Sequence, residues 1–189
     1  MKYEFLISNV ILVISFIVLF YLIYKPGKYV KSSIDNKDYF VSDSVNPSSE
    51  EIANTLATIR KNINVLCDYL KSKQHKEYQD NIDELIKTVK DIDISENTKN
   101  IYTSYTINKN ELVFCVKSKQ TGQIHDMNLL MYVVLHELSH IACPEYGHTE
   151  LFKKIFHYIL TQAEECGIYK QINFYLNPQE YCGMNITSG

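Results

Sequence analysis

Residues 136–148 read His136-Glu137-Leu138-Ser139-His140-Ile141-Ala142-Cys143-Pro144-Glu145-Tyr146-Gly147-His148. The stretch Met127 to Cys143 is expected to be one helix, stopped at Pro144, which cannot continue it. Asp126 is positioned to cap its start. Leu130, Val133, Val134, Leu138 and Ile141 give the helix apolar faces, so it should lie in the core. His136 and His140 are four residues apart and therefore project from one face, one turn apart.

That separation lets two ring nitrogens reach one Zn2+ at about 2.0–2.1 Å. Glu137 follows the first imidazole on the edge of the same face. It is placed to take a proton from zinc-bound water rather than to bind the metal. A catalytic zinc needs a third protein ligand and an open position. His148 follows a Pro- and Gly-containing segment that reverses the chain, and it precedes a helix that Thr149 can cap, with Glu150 in its first turn. A turn there would return His148 to the metal. Glu164 and Glu165 on the following helix, and Glu145, are the alternatives. Such a site hydrolyses a peptide bond, with Glu137 passing the water proton to the leaving amine. A further donor is needed for the oxyanion; Tyr146, Tyr169 and Tyr181 are candidates between which the sequence does not choose.

Upstream, Ile101–Ile107 alternates as strands do, Asn108-Lys109-Asn110 is a turn, and Leu112–Val116 is a short apolar run. Together they predict an antiparallel β-hairpin ahead of the motif helix, with a strand edge able to accept an extended substrate. Asp91 to Asn100 reads as loop. Ser48 and Glu51 form a capping box before Ile52, Leu56, Ile59, Ile63, Leu66 and Leu70. These predict an amphipathic helix to about Lys71. Tyr78, Ile82, Leu85, Ile86 and Val89 predict a second helix over about 76–91.

Residues 25–47 are polar and lack clear periodicity, and read as a juxtamembrane linker. Residues 5–24 carry no charge, and 20 such residues make a helix about 30 Å long. They are expected to form a transmembrane anchor behind a four-residue flank, 1–4. Lys25, Lys28 and Lys31 follow the span, which places the C-terminal domain in the cytosol. The domain plan is then 1–4, 5–24, 25–47 and a metallopeptidase domain over 48–189.

The chain has 189 residues, 22% of them charged, and a net charge of −3. That balance, without Lys/Arg clusters, gives no footprint for nucleic acid. The five cysteines are odd in number, widely spaced and without a C-x-x-C. They read as free thiols rather than a disulfide framework or a cysteine zinc site. His75 and His125 lie in expected loops with no assigned task. His157 lies on an amphipathic stretch as a partly buried structural residue. Met184, in Tyr181-Cys182-Gly183-Met184, invites comparison with a Met-turn, although the preceding spacing does not fit that pattern.

The stretch HELSHIACPEYGHTELF, with NPQEYCGMNI downstream, resembles the WLM and SprT-like zincin peptidases. It is most similar to small membrane-anchored WLM-type proteins of large DNA viruses. The resemblance covers about Tyr105 to Ile186. Seven residues separate His140 from His148, where typical WLM sequences have five. The resemblance implies a compact α+β, minigluzincin-like fold, Zn2+ held by His136, His140 and His148, and Glu137 as acid/base. Some cellular relatives cleave proteins crosslinked to DNA; that substrate is not expected here. The overall expectation is a zinc peptidase acting on a protein or peptide and tethered to a host or virion membrane through residues 5–24. The alternative is an inactive zincin-fold membrane protein with a viral structural or interaction role.

Overall fold

A computed structural model describes residues 9–16, 19, 27–98, 104–107 and 109–187. Lys28–Lys31 (β1) and Asp38–Val41 (β2), within the expected linker, pair as an antiparallel hairpin. Tyr39 and Val41 point into the core, and β2 lies against the first long helix. The hairpin is anchored by Glu96, whose carboxylate accepts the Ser42 N–H at 2.6 Å and pairs with Lys117 at 3.2 Å. That ion pair links three distant stretches, so no local pattern announces the hairpin.

The first long helix, Ser49–Lys71 (α1), starts as its sequence predicts. Ser48 Oγ accepts the Glu51 N–H, and the Glu51 carboxylate accepts the Ser48 N–H. This satisfies two donors that the helix leaves unpaired. Ile52, Leu56, Ile59, Ile63, Leu66 and Leu70 are all buried. A single 3-10 turn over Lys76–Tyr78 then leads into Gln79–Val89 (α2).

The expected loop after α2 contains a strand, Asp93–Glu96 (β3). It runs parallel to Glu111–Phe114 (β5), which pairs antiparallel with Tyr105–Ile107 (β4) on its other side. The sheet order is β3-β5-β4, so the expected hairpin is present and, among the described residues, β4 is an edge. The earlier part of the expected first hairpin strand, 101–103, lies outside the described residues. β3 escapes local reading because two of its buried residues are polar. Ser95 and Glu96 are satisfied by Glu111, Ser42 and Lys117, partners that lie 15 or more residues away.

Met127–Ala142 (α3) and Glu150–Glu165 (α4) pack together, and α2 lies against α3. Gln179–Tyr181 (β6) and Met184–Ile186 (β7) close the described chain as a small hairpin. Its two-residue turn has φ of 52° at Cys182 and 88° at Gly183. Positive φ at both central residues matches the right-handed strand twist, and glycine takes the second position without a Cβ penalty.

Two expectations are corrected. Among the described residues no helix is long and apolar enough to cross a membrane. The described helical residues within 5–24 are 9–16 and 19, and a run of eight spans about 12 Å against a bilayer core of about 30 Å. The remainder of 5–24 lies outside the described residues. The transmembrane part of the expected fold class, and the single-pass localisation that rested on it, are therefore not sustained; a mixed α+β fold stands. Second, Cys115 and Cys182 form a disulfide, leaving Cys67, Cys143 and Cys166 free. Their separation of 67 residues hides the pairing from any spacing rule.

Candidate metal centre

Asp126 Oδ1 accepts the N–H groups of Asn128 and Leu129, so α3 begins where its cap predicts. Past the first turn, every residue of α3 is buried except His136 and His140. These two imidazoles open onto a cavity of about 1060 Å³ between α3, β4 and β7. Ser139, inside the motif, is fully buried; its hydroxyl donates to the Leu135 carbonyl at 2.7 Å and so needs no outside partner. The far end of α3 is held by side chains. Lys109 Nζ donates to the Ile141 carbonyl at 2.9 Å, and Asn81 Nδ2 to the Ala142 carbonyl at 2.9 Å. Both satisfy carbonyls that a helix end leaves unpaired.

Gly147 has φ of 78°, a backbone conformation that L side chains rarely adopt. That turn sends His148 back over the motif helix. His148 Nε2 lies 3.0 Å from His136 Nε2. One ring nitrogen from each of His136, His140 and His148 lies within 4.8 Å of the others. The three ring centroids are 4.9–5.0 Å apart, an almost equilateral triangle. Phe152, on the first turn of α4, stacks on His140 at 4.2 Å and meets His136 and His148 edge-on. The ring therefore orients all three imidazoles. In sequence Phe152 carries no mark beyond its place on an amphipathic stretch.

Two nitrogens bound tetrahedrally at 2.0–2.1 Å from one ion lie roughly 3.3 Å apart. The His136–His148 separation is close to that. The three residues therefore fit a divalent metal that prefers nitrogen donors. Burial, and then the neighbouring His140 and His148, hold His136 at about 4, well below the usual imidazole value. Burial and His148 lower His140 as well. Both are thereby kept neutral, the form that binds metal. The alternative ligands stand apart. Glu165 accepts from Tyr69 and Lys73, Glu164 is exposed on α4, and Glu145 lies exposed at the cavity wall.

Glu137 is buried beside the imidazoles, on the same cavity. Burial raises its carboxyl above the usual range, and a hydrogen bond from Thr106 Oγ1 to Oε2, 2.9 Å long, offsets part of that. Thr106 lies on β4, so the sheet edge and the carboxylate are mechanically joined. Neither Thr106 nor Lys109 was singled out from sequence. Both act across more than 30 residues, and no local signal marks them.

The remaining candidates sort themselves. Tyr146 is 99% exposed. Tyr169 is buried against Tyr132 and its phenol oxygen accepts the Ile172 N–H. Tyr181 and Met184 line the cavity. His75 is buried, bridging Tyr158 Oη and the Leu70 carbonyl at 2.7 Å each, and so ties the end of α1 to α4. His125 is buried too, its Nε2 accepting the Cys182 N–H. Both have structural tasks that the sequence did not show. His157, expected to be partly buried, is exposed.

No family model matches the chain, and no solved structure does. Curated relatives exist among viral proteins. Uncharacterized protein R325 of Acanthamoeba polyphaga mimivirus is 43% identical over 190 residues, covering 96% of this chain and 95% of that protein. The chain belongs to the same family as that mimivirus protein. Uncharacterized protein 136R of Invertebrate iridescent virus 6 is 38% identical over 81 residues, 42% of this chain and 44% of the relative. Uncharacterized protein 042R of Invertebrate iridescent virus 3 is 36% identical over 86 residues, 44% of this chain and 54% of the relative.

Proposed function

We propose that the chain is a zinc-dependent peptidase of the zincin class, with His136, His140 and His148 as ligands and Glu137 as general base. The observation that carries the reading is the convergence of three imidazoles beside one buried carboxylate, in a cavity bordered by the edge strand β4. The likeness of residues 136–152 and 177–186 to WLM-type peptidases supports it. His136, His140 and His148 would hold the zinc, which would supply Lewis acidity for the hydrolysis.

The residues of the chain do the rest. An extended peptide lies along β4 and adds a strand to the sheet. Glu137, with Oε2 held by Thr106, accepts the proton of the attacking water and returns it to the leaving amine. Burial raises its carboxyl above the usual range, which makes it a stronger proton acceptor than an exposed carboxylate. Phe152 and the Gly147 turn keep the imidazoles in place between turnovers.

The test is elemental analysis of the full chain purified with zinc, followed by incubation with a peptide library and mass spectrometry. About one zinc per chain is expected, greatly reduced in His148→Ala and retained in Glu137→Gln. Cleavage should fall by about 10²–10⁴-fold in Glu137→Gln, the usual worth of a general base. No metal in the folded, zinc-supplied chain refutes the reading. Full metal with no cleavage would instead leave a metal-holding viral structural or interaction component.

A further inference from the structure

We infer that Tyr181 is a catalytic residue, donating a hydrogen bond to the scissile carbonyl oxygen as it becomes negative. This deepens the peptidase reading and rests on it. Of the three tyrosines considered, Tyr181 alone is both buried and part of the cavity wall that holds the imidazoles and Glu137. Tyr146 is fully in solvent, and the Tyr169 phenol is engaged at Ile172, away from the cavity.

Ser104 Oγ accepts the Cys115 N–H at 3.1 Å and is also bonded to Tyr181 Oη. A hydroxyl has one proton to give. In the proposed arrangement Ser104, which accepts the Cys115 N–H, gives its own proton to Tyr181 Oη. The phenol then accepts from Ser104 and keeps its own proton for the cavity. A donor that itself accepts a hydrogen bond is polarised and becomes a stronger donor. Burial pushes the phenol well above the usual tyrosine range; the Ser104 bond offsets part of this and the Glu137 carboxylate adds to it. The group therefore stays protonated. Tyr181 keeps its proton throughout, so no proton transfer is assigned to it.

The phenol is also held rigidly. Its ring packs on His125 at 5.1 Å, and the next residue, Cys182, is joined to Cys115. Cys115, Ser104, Tyr181 and Cys182 thus form a closed circuit of two hydrogen bonds and covalent links. A donor fixed in advance stabilises developing charge without reorganisation in the transition state, which is where oxyanion donors gain their effect.

The experiment compares the zinc-loaded full chain with Tyr181→Phe and Ser104→Ala. The readouts are kcat, KM, zinc content and the affinity of a phosphinic peptide, whose tetrahedral oxygens imitate the transition state. Tyr181→Phe should lose about 10²–10³-fold in kcat with KM and zinc content within about twofold. Its affinity for the phosphinic peptide should fall by a similar factor, while a substrate-like peptide binds as before. Ser104→Ala, which keeps the phenol but not its acceptor role, should lose several-fold in kcat. An active wild type with an equally active Tyr181→Phe overturns this inference alone. A wild type without turnover refutes the peptidase reading and the role of Tyr181 with it. Should Tyr181→Phe misfold, an unchanged kcat in Ser104→Ala overturns the inference.

Discussion

Replacing Cys182 with Ala opens the loop that the Cys115–Cys182 bridge closes, a sequence separation of 67 residues. In the unfolded chain the bridge forbids all conformations in which its ends are apart. For a loop of this size the lost restriction amounts to about 4 kcal/mol at 25 °C. Domains are stable by only roughly 5–15 kcal/mol, so the change is a large share of the total. At about 2–4 °C per kcal/mol for a chain of this size, Tm should fall by roughly 10 °C. Urea unfolding of the metal-free chain, with and without dithiothreitol, separates the link from the side chain. Reductant should bring the wild type down to the variant and leave the variant where it was. Thiol titration of the denatured, non-reduced wild type should find three free thiols, from Cys67, Cys143 and Cys166. Five titratable thiols, or equal urea midpoints, would refute the reasoning.

Three further outcomes follow from the site. Thr106→Val removes a hydrogen bond that favours the ionised Glu137 carboxylate, so the Glu137 pKa rises. The acid limb of kcat/KM should move to higher pH; an unmoved limb would show that Thr106 does not tune the base. His136 is held at about 4 by burial and its neighbouring imidazoles, against an ordinary 6.5. Between those values the unfolded chain takes up a proton that the folded chain refuses, so stability falls as pH falls from about 6.5 towards 4. The loss across that window in the metal-free chain should be on the order of 3 kcal/mol, and a His136→Gln variant should lack it; identical pH slopes in urea midpoints would count against it. Lys109→Met removes the donor to the Ile141 and Cys143 carbonyls at the end of the motif helix. It should cost about 1–2 kcal/mol in thermal unfolding, and a neutral result would show that Asn81 and solvent suffice.

The elements that could be read from sequence are those whose determinants are local. The capping box at Ser48, the Asp126 cap, the stripe from Ile52 to Leu70 and the hairpin before the motif helix all lie within a few residues of what they specify. The positions of His136 and His140 follow from helical periodicity alone. Even His148 was accessible, because Pro144 and Gly147 mark the turn that brings it back. What escaped depends on contacts between distant residues. The strand β3 and the hairpin β1–β2 are joined through Glu96, Ser42 and Lys117, and neither has an apolar alternation long enough to stand out. The bridge from Cys115 to Cys182 and the bond from Thr106 to Glu137 are likewise tertiary facts.

The same division explains why the candidate centre is legible while its tuning is not. Beyond its first turn, α3 is enclosed on every side except at His136 and His140, and it buries a carboxylate between them. Leucines at 136 and 140 and an uncharged residue at 137 would fit such a helix with less desolvation cost. A core helix that retains two imidazoles and a buried acid where apolar residues would be more stable departs from the local rule for its own burial. Such departures are expected where function, not stability, sets the residue. The departure is written in five consecutive residues and is therefore visible in sequence. The groups that make it workable, Phe152 orienting the imidazoles and Thr106 restraining Glu137, satisfy the ordinary rules of a helix face and a strand edge. Only their meeting in space gives them a role.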